Sequence, residues 1–246
     1  MTEQINERPE ERQLAAAPRD LPPAAAGLIH EVKNPLAAIH LHMQLLESMI
    51  HQVKDSDLRE RMIGKAGLIK REILGLNQTL QDFLRMVRQE RVERQIGDLN
   101  QVVREIIELL LPQAQTHGME LAFAAGPLDQ NLVFEPTFVK QVLINLILNS
   151  IQAFEGMPGD SEKKILVQTG MENGHPFMRV TDNGPGIPPD VQARIFDPFF
   201  STREEGSGLG LALVRKMAGQ MGGEVNVESI PGQGARFTVL LGKPHG

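Results

Sequence analysis

The sequence predicts an α+β protein: an N-terminal antiparallel helical hairpin that pairs into a four-helix bundle as a dimer, followed by an α/β sandwich domain. Two observations carry this. From Leu21 to Arg91 apolar residues recur every seven positions in paired rows, with few strand signals. From Asp98 onward short segments of two-residue period alternate with helical ones and are separated by turn residues.

In the hairpin, Ile29, Leu36, Met43 and Ile50 form one row, and Val32, Ile39, Leu46 and Val53 the other. After a break at Lys54-Asp55-Ser56, Met62, Ile69, Leu76 and Phe83 form a row, joined by Ala66, Ile73, Leu80 and Val87. Asp57, with Glu60 three residues later, is the expected cap of the second helix. Each helix spans roughly 35–45 Å at 1.5 Å per residue. A lone pair of that length buries one stripe of each helix, so a second hairpin completes it and the expected assembly is a homodimer. Gly64, Gly67 and Gly75 interrupt the second helix, each costing about 1 kcal/mol relative to Ala. Either a bend or a close helix contact would account for them.

In the second part, Asp98 or Asn100 begins a helix to about His117, with Ile106, Ile107, Leu110 and Leu111 inward. Strands follow at Met119–Ala124 and Leu132–Phe134, a helix at Thr137–Phe154, and strands at Ile165–Glu172 and Pro176–Asp182, with a hairpin turn at Glu172-Asn173-Gly174-His175. A glycine-rich loop leads to a helix near Leu209–Met221 and strands at Glu224–Glu228 and Ala235–Leu241. The expected division is a disordered tail over 1–20, the hairpin over 21–93 and the sandwich domain over 94–246.

Composition narrows the function. A net charge of −6 and a pI near 5.7 argue against a nucleic-acid binder. With no cysteine, thiol catalysis and cysteine-ligated metals are excluded. No run reaches the roughly 18 apolar residues of a membrane span, and Met1–Arg19 lacks a signal-peptide core, so the expected location is cytoplasmic.

Five segments carry chemistry. In His30-Glu31-Val32-Lys33-Asn34-Pro35-Leu36, Ile29 and Val32 lie on the seam, which turns His30 outward, with Asn34 one turn on along the same face. A carboxylate such as Glu31 holds one ring nitrogen's proton and leaves the other nitrogen's lone pair for attack on phosphorus. Pro35 removes the N–H that would bond the Glu31 carbonyl and loosens the helix there. A lone exposed His is usually solvated surface; the company of Glu31, Asn34 and Pro35 reverses that reading. Asn145 and Asn149, at i and i+4 in an apolar helix, put two amide oxygens on one face, suited to Mg²⁺ or else to bridging backbone. Asp182-Asn183-Gly184-Pro185-Gly186-Ile187 follows a strand: its carboxylate suits an exocyclic amine, and Gly184 and Gly186 permit close backbone approach or a plain turn. Gly206-Ser207-Gly208-Leu209-Gly210 opens a helix, where backbone N–H groups can surround phosphate. Before it, Phe196-Asp197-Pro198-Phe199-Phe200 forms a lid anchor or a local core cluster, and Thr202 and Arg203 are placed to reach terminal phosphates.

In chain order the segments resemble the H, N, G1, F (Phe196–Phe200) and G2 (Gly206–Gly210) boxes of the two-component sensor histidine kinases, the nitrogen-regulator-like group above all, and the likeness spans roughly Leu21 to Leu241. The resemblance implies a dimerisation and phosphotransfer hairpin followed by an ATP-binding domain of the GHKL (Bergerat) type. It implies His30 as the phosphorylated residue, Glu31 as its activator and Asn34 as the residue that positions water for dephosphorylating the partner. Asn149, with Asn145, would bind Mg²⁺, and Asp182 adenine. The implied partners are a second copy of the chain, a response-regulator receiver domain, and a separate sensory or scaffold protein. Two positions depart from the pattern: Arg203 stands where relatives often have Lys, and Ala153, followed by Phe154, stands where many have an aromatic. The rival readings are a phosphatase acting mainly through Asn34, a non-catalytic dimeric scaffold, and an ATP-driven clamp, which has no need of the His30 hairpin.

Overall fold

The computed structural model describes residues 36, 39, 41–46, 48–51, 53–87, 92–129, 131–155, 157, 162–203 and 206–242. The chain divides into two units, Met1–Glu90 and Arg91–Gly246. The tail expected over 1–20, and His30, Glu31 and Asn34, lie outside the described residues.

In the first unit the described residues from 36 to 50 are helical, and α1 (Ser56–Val87) follows a short turn. Asp55, not Asp57, sets its start: the Asp55 Oδ1 accepts the Leu58 N–H at 3.0 Å. The expectation failed because the chain enters the helix at Ser56, which leaves Asp57 inside the first turn. Only one of the two predicted rows is covered. Met43, Ile50, Ala66 and Ile73 form the core, with Met62 against it. Ile39 and Leu46 remain exposed, as do Ile69 (45 %) and Leu76 (56 %). α1 runs on through its three glycines. A Cβ at Gly64 or Gly75 would meet nothing within 4 Å, so no close contact within the hairpin requires a glycine there.

In the second unit β1 (Gln95–Gly97) pairs antiparallel with β3 (Leu132–Phe134). Between them α2 (Leu99–Thr116) starts at Asp98, whose side chain accepts the Asn100 and Gln101 N–H groups, and β2 (Met119–Ala124) follows. α3 (Pro136–Ala153) is capped by Glu135, which accepts the Thr137 N–H at 2.9 Å, and has proline at its first position. It buries Phe138, Val139, Val142, Leu143, Leu146, Ile147, Ser150 and Ile151. β4 (Lys163–Glu172) and β5 (His175–Asp182) are joined through Asn173 and Gly174 at φ 53° and 79°, the left-handed pair of a type I′ turn. The short α4 (Pro189–Gln192), α5 (Gly210–Gln220), β6 (Glu224–Ser229) and β7 (Ala235–Leu240) complete the unit.

The main sheet has the order β2-β4-β5-β7-β6; β2 and β4 are parallel and the other pairs antiparallel. Alternation sets the faces: β5 buries Pro176, Met178, Val180 and Asp182 toward the helices. Register then places Asp182 at the strand's end, between Ile165 of β4 and Ala235 of β7. Most element ends fall within one or two residues of expectation. Two elements were not expected: the one-turn α4 is too short to show a period, and β1, Gln95-Ile96-Gly97, lacks the apolar ends that mark the equally short β3. Among the described residues no helix is long and apolar enough to cross a membrane.

Candidate functional site

The site is organised along α3. Its apolar stripe faces the sheet, and Asn145, Asn149 and Ser150 are polar residues of the helix that bear on the site. Asn145 comes first: its Nδ2 donates to the Gly210 carbonyl at 3.3 Å, and its Oδ1 accepts from Gln141 Nε2 at 3.3 Å. Asn145 therefore holds the glycine loop to α3. One turn on, Asn149 is half-buried and has no side-chain partner among the described residues. It is the amide open to a ligand.

Ser150 is buried, and its hydroxyl donates to Asp182 Oδ2 at 3.1 Å. The other carboxylate oxygen, Oδ1, accepts the Gly184 N–H at 2.9 Å and the Ala235 N–H at 3.2 Å. Burial pushes the Asp182 carboxyl above the ordinary carboxylate range; those three donors pull the other way. Oδ2 keeps one lone pair beyond Ser150, which suits an exocyclic amino group. At the end of α3, Phe154 is buried, and a Cβ on Gly184 would lie 3.6 Å from Ala153 and 3.7 Å from Phe154. Phe154 thus packs under the Gly184 backbone.

The two G1-type glycines serve different ends. Gly184 lies against Asp182, whereas Gly186 (φ 71°) is pressed on the Ile230–Pro231 backbone. Asn183 ties the loop to β4, accepting the Lys164 N–H at 2.7 Å and donating to the Glu162 carbonyl at 2.8 Å. The turn between β6 and β7 braces the loop: the Gly232 N–H donates to the Pro185 carbonyl, and Ser229 Oγ accepts the Ile187 N–H and donates to the Gly234 carbonyl. Gly234 sits at φ 86° with its Cα against the Asp182 backbone, where a Cβ would collide.

Beyond α4, Ile195 is buried and Phe196 meets Phe237 of β7 edge-on at 6.4 Å, so the aromatic segment anchors at this end. Phe200 lies under Arg194 at 4.3 Å, while Phe199 is exposed at φ 65°. The Phe199 N–H donates to the Gly208 carbonyl at 3.0 Å. Gly208 (φ 66°) backs directly onto the Phe199–Phe200 backbone, and Gly206 onto the Ser201 hydroxyl. Gly210 faces Asn145 with room for a Cβ. α5 then starts with no side-chain cap, so its first N–H groups could be taken up by an anion. Thr202 is exposed, and Arg203 donates to Gln152 Oε1 on α3. Burial lowers the Arg203 pKa, opposed by the charge of Glu155.

One helix therefore brings together Asn145, Asn149, Asp182, Gly184, Arg203 and the loop of Gly206, Gly208 and Gly210. Sequence reasoning missed Ser150, Gln152 and the 230–234 turn. Ser150 had a visible signal, a hydroxyl on the otherwise apolar stripe of α3; Gly232-Gln233-Gly234 had another, a glycine pair just before a strand. Among the described residues no group of three or more His, Asp or Glu is placed to hold a metal ion. A neutral amide at Asn149 fits a divalent ion that brings anionic ligands of its own, such as phosphate oxygens.

The family of histidine kinase-, DNA gyrase B- and HSP90-like ATPases (HATPase_c) matches residues 134–245. The chain is 33% identical over 217 residues to the sensor histidine kinase ZraS of Klebsiella oxytoca, covering 88% of this chain and 45% of that protein. It is 34% identical over 238 residues to the signal transduction histidine-protein kinase AtoS of Escherichia coli K12, covering 94% and 36%. The chain thus spans less than half the length of these two relatives. Full-length ShkA in complex with AMPPNP superposes with a TM-score of 0.73 at 27% identity, covering 92% of this chain and 47% of that one. Histidine kinase ThkA, solved with the response regulator TrrA, gives 0.64 at 25% identity, covering 89% and 61%.

Proposed function

Since this chain belongs to the two-component sensor histidine kinases and carries their GHKL-type ATPase domain, we propose that it transfers the γ-phosphate of ATP to His30 and then to an aspartate of a response-regulator receiver domain. The observation that supports this best is the convergence on α3 of a buried carboxylate, an open amide and a glycine loop. Asp182 accepts the adenine amine. Asn149 faces the triphosphate, with the loop from Gly206 to Gly210 and the uncapped start of α5 beyond it. Thr202 and Arg203 close over the phosphates. Asn149 would hold Mg²⁺ there, and the ion would supply charge neutralisation to the phosphates.

In the transfer, the unprotonated nitrogen of His30 attacks the γ-phosphorus. An N–P bond forms as the bond to the β–γ bridging oxygen breaks, and ADP departs. Glu31 holds the proton on the other ring nitrogen, so the imidazole keeps the right tautomer. An aspartate oxygen of the receiver domain then attacks the same phosphorus and the N–P bond breaks. Asn34, one turn from His30 in the sequence, orients water for removing that phosphate from the regulator. ATP as the donor places the reaction in the cytoplasm. The uncovered row of Ile39, Leu46, Ile69 and Leu76 supports a homodimer through the hairpin. The test is His30→Gln, incubated with γ-labelled ATP: acid-labile label on the protein is lost while ATP binding persists. Label that survives on this variant contradicts the assignment.

A further inference from the structure

Asp182 reads an amino group only if its carboxylate is ionised, fixed in its plane and left with one lone pair facing outward. The backbone fixes Oδ1 alone, through the Gly184 and Ala235 N–H groups at 2.9 and 3.2 Å. Oδ2 has a single side-chain partner, the Ser150 hydroxyl at 3.1 Å, and both residues are almost wholly enclosed, at 2 % and 6 % exposure. We propose that Ser150 is a positioning residue for base recognition, setting the orientation and ionised state in which Asp182 selects a nucleobase that carries an exocyclic amine. This rests on the reading of Asp182 as the adenine contact.

The position of Ser150 supports it. Val139, Leu143, Leu146 and Ile147, on the same helix, are all fully buried, so packing alone calls for no hydroxyl there. A hydroxyl in such a place has to be satisfied, and the group that satisfies it is the site's own carboxylate. Without the hydroxyl, Oδ2 loses its one protein donor in a site whose burial already favours the neutral acid. The carboxyl can then rotate, and its outward lone pair is no longer held toward the amino group of the base.

The experiment compares two ligands on the whole chain by titration calorimetry with Mg²⁺: ATP, and purine riboside triphosphate, which has hydrogen in place of the 6-amino group. Wild-type protein is expected to prefer ATP by about 10- to 100-fold, the range of a hydrogen bond to a charged group. Ser150→Ala is expected to shrink that preference by about 5- to 10-fold, chiefly through weaker ATP binding. Ser150→Thr, which keeps the hydroxyl, is expected to retain the wild-type preference. A serine with a merely structural role would weaken both ligands alike and leave the ratio unmoved; an unmoved ratio in Ser150→Ala overturns the proposal, and so does a ratio lost in Ser150→Thr. Should the wild type itself not distinguish the two ligands, the adenine reading of Asp182 fails, which is a separate outcome.

Discussion

The two units use similar apolar content in opposite ways. In the second unit α3 is nearly enclosed: eight of its side chains are buried, and Val142, Leu143, Leu146 and Ile147 are wholly inaccessible. In the first unit α1, almost twice as long, buries only Ala66, Ile73, Asp82 and Leu84. Ile63, Leu68, Ile69, Leu74 and Leu76 stay exposed on it. The difference follows from geometry: a helix laid on a sheet and flanked by two other helices is covered on several sides, whereas two helices side by side touch along one stripe. Apolar surface of this extent on a helix marks a contact still to be made. The second unit completes its core within one chain; the first, among its described residues, leaves an apolar row uncovered.

The largest expected effect lies in the enclosed unit. Leu146→Ala removes a fully buried side chain from the helix that carries the site. It should cost about 2–5 kcal/mol, read as a lower denaturant midpoint of the second unit together with weakened nucleotide binding. A loss below about 1 kcal/mol would mean that α3 is far less tightly held than its burial implies.

Next comes the open unit. Glutamate at both Ile69 and Leu76 should leave the chain folded, since both side chains are exposed within it, but should put like charges into the hairpin's outer row. Dimer dissociation constants measured by sedimentation are expected to rise by roughly 100-fold or more. Unchanged association would sink the contrast, because the exposed row would then serve no partner.

The smallest effect concerns Asp182. Its folded pKa is raised by burial, so holding it ionised works against the fold. That penalty is absent below the ordinary carboxylate pKa, grows as the pH rises through the folded value, and is constant above it. Asp182→Asn should therefore raise the nucleotide-free melting temperature at pH 7, with the gain vanishing in acid, while ATP binding is lost. A gain that persists unchanged into acid would show that the carboxylate's charge is not its source.

Much of this was legible in the sequence, for reasons that vary by residue. The apolar spacing of α3 and the alternation of β5 are local, so the elements and the inward face of Asp182 could be read directly. The heptads of the hairpin identified the apolar rows but not their covers, because a period does not say which chain supplies the neighbour. Asp57 looked like a cap from its distance to Glu60, yet Asp55 holds that place, since the choice depended on where the turn ends. Ser150, Ala235 and the 230–234 turn reach Asp182 only through tertiary pairing, between 32 and 53 residues apart for the two direct hydrogen bonds. None of them was singled out beforehand, although Ser150, a hydroxyl among hydrocarbons, and the Gly232-Gln233-Gly234 turn each carried a signal.

The strand order leaves β6 at the border of the main sheet, with a row of backbone groups that another extended chain would otherwise zip onto. Its outward residues are Glu224, Asn226 and Glu228, all solvated, so a second copy of the strand added antiparallel there would bring carboxylates side by side at both ends of the pairing. Such a border resists runaway stacking into fibres.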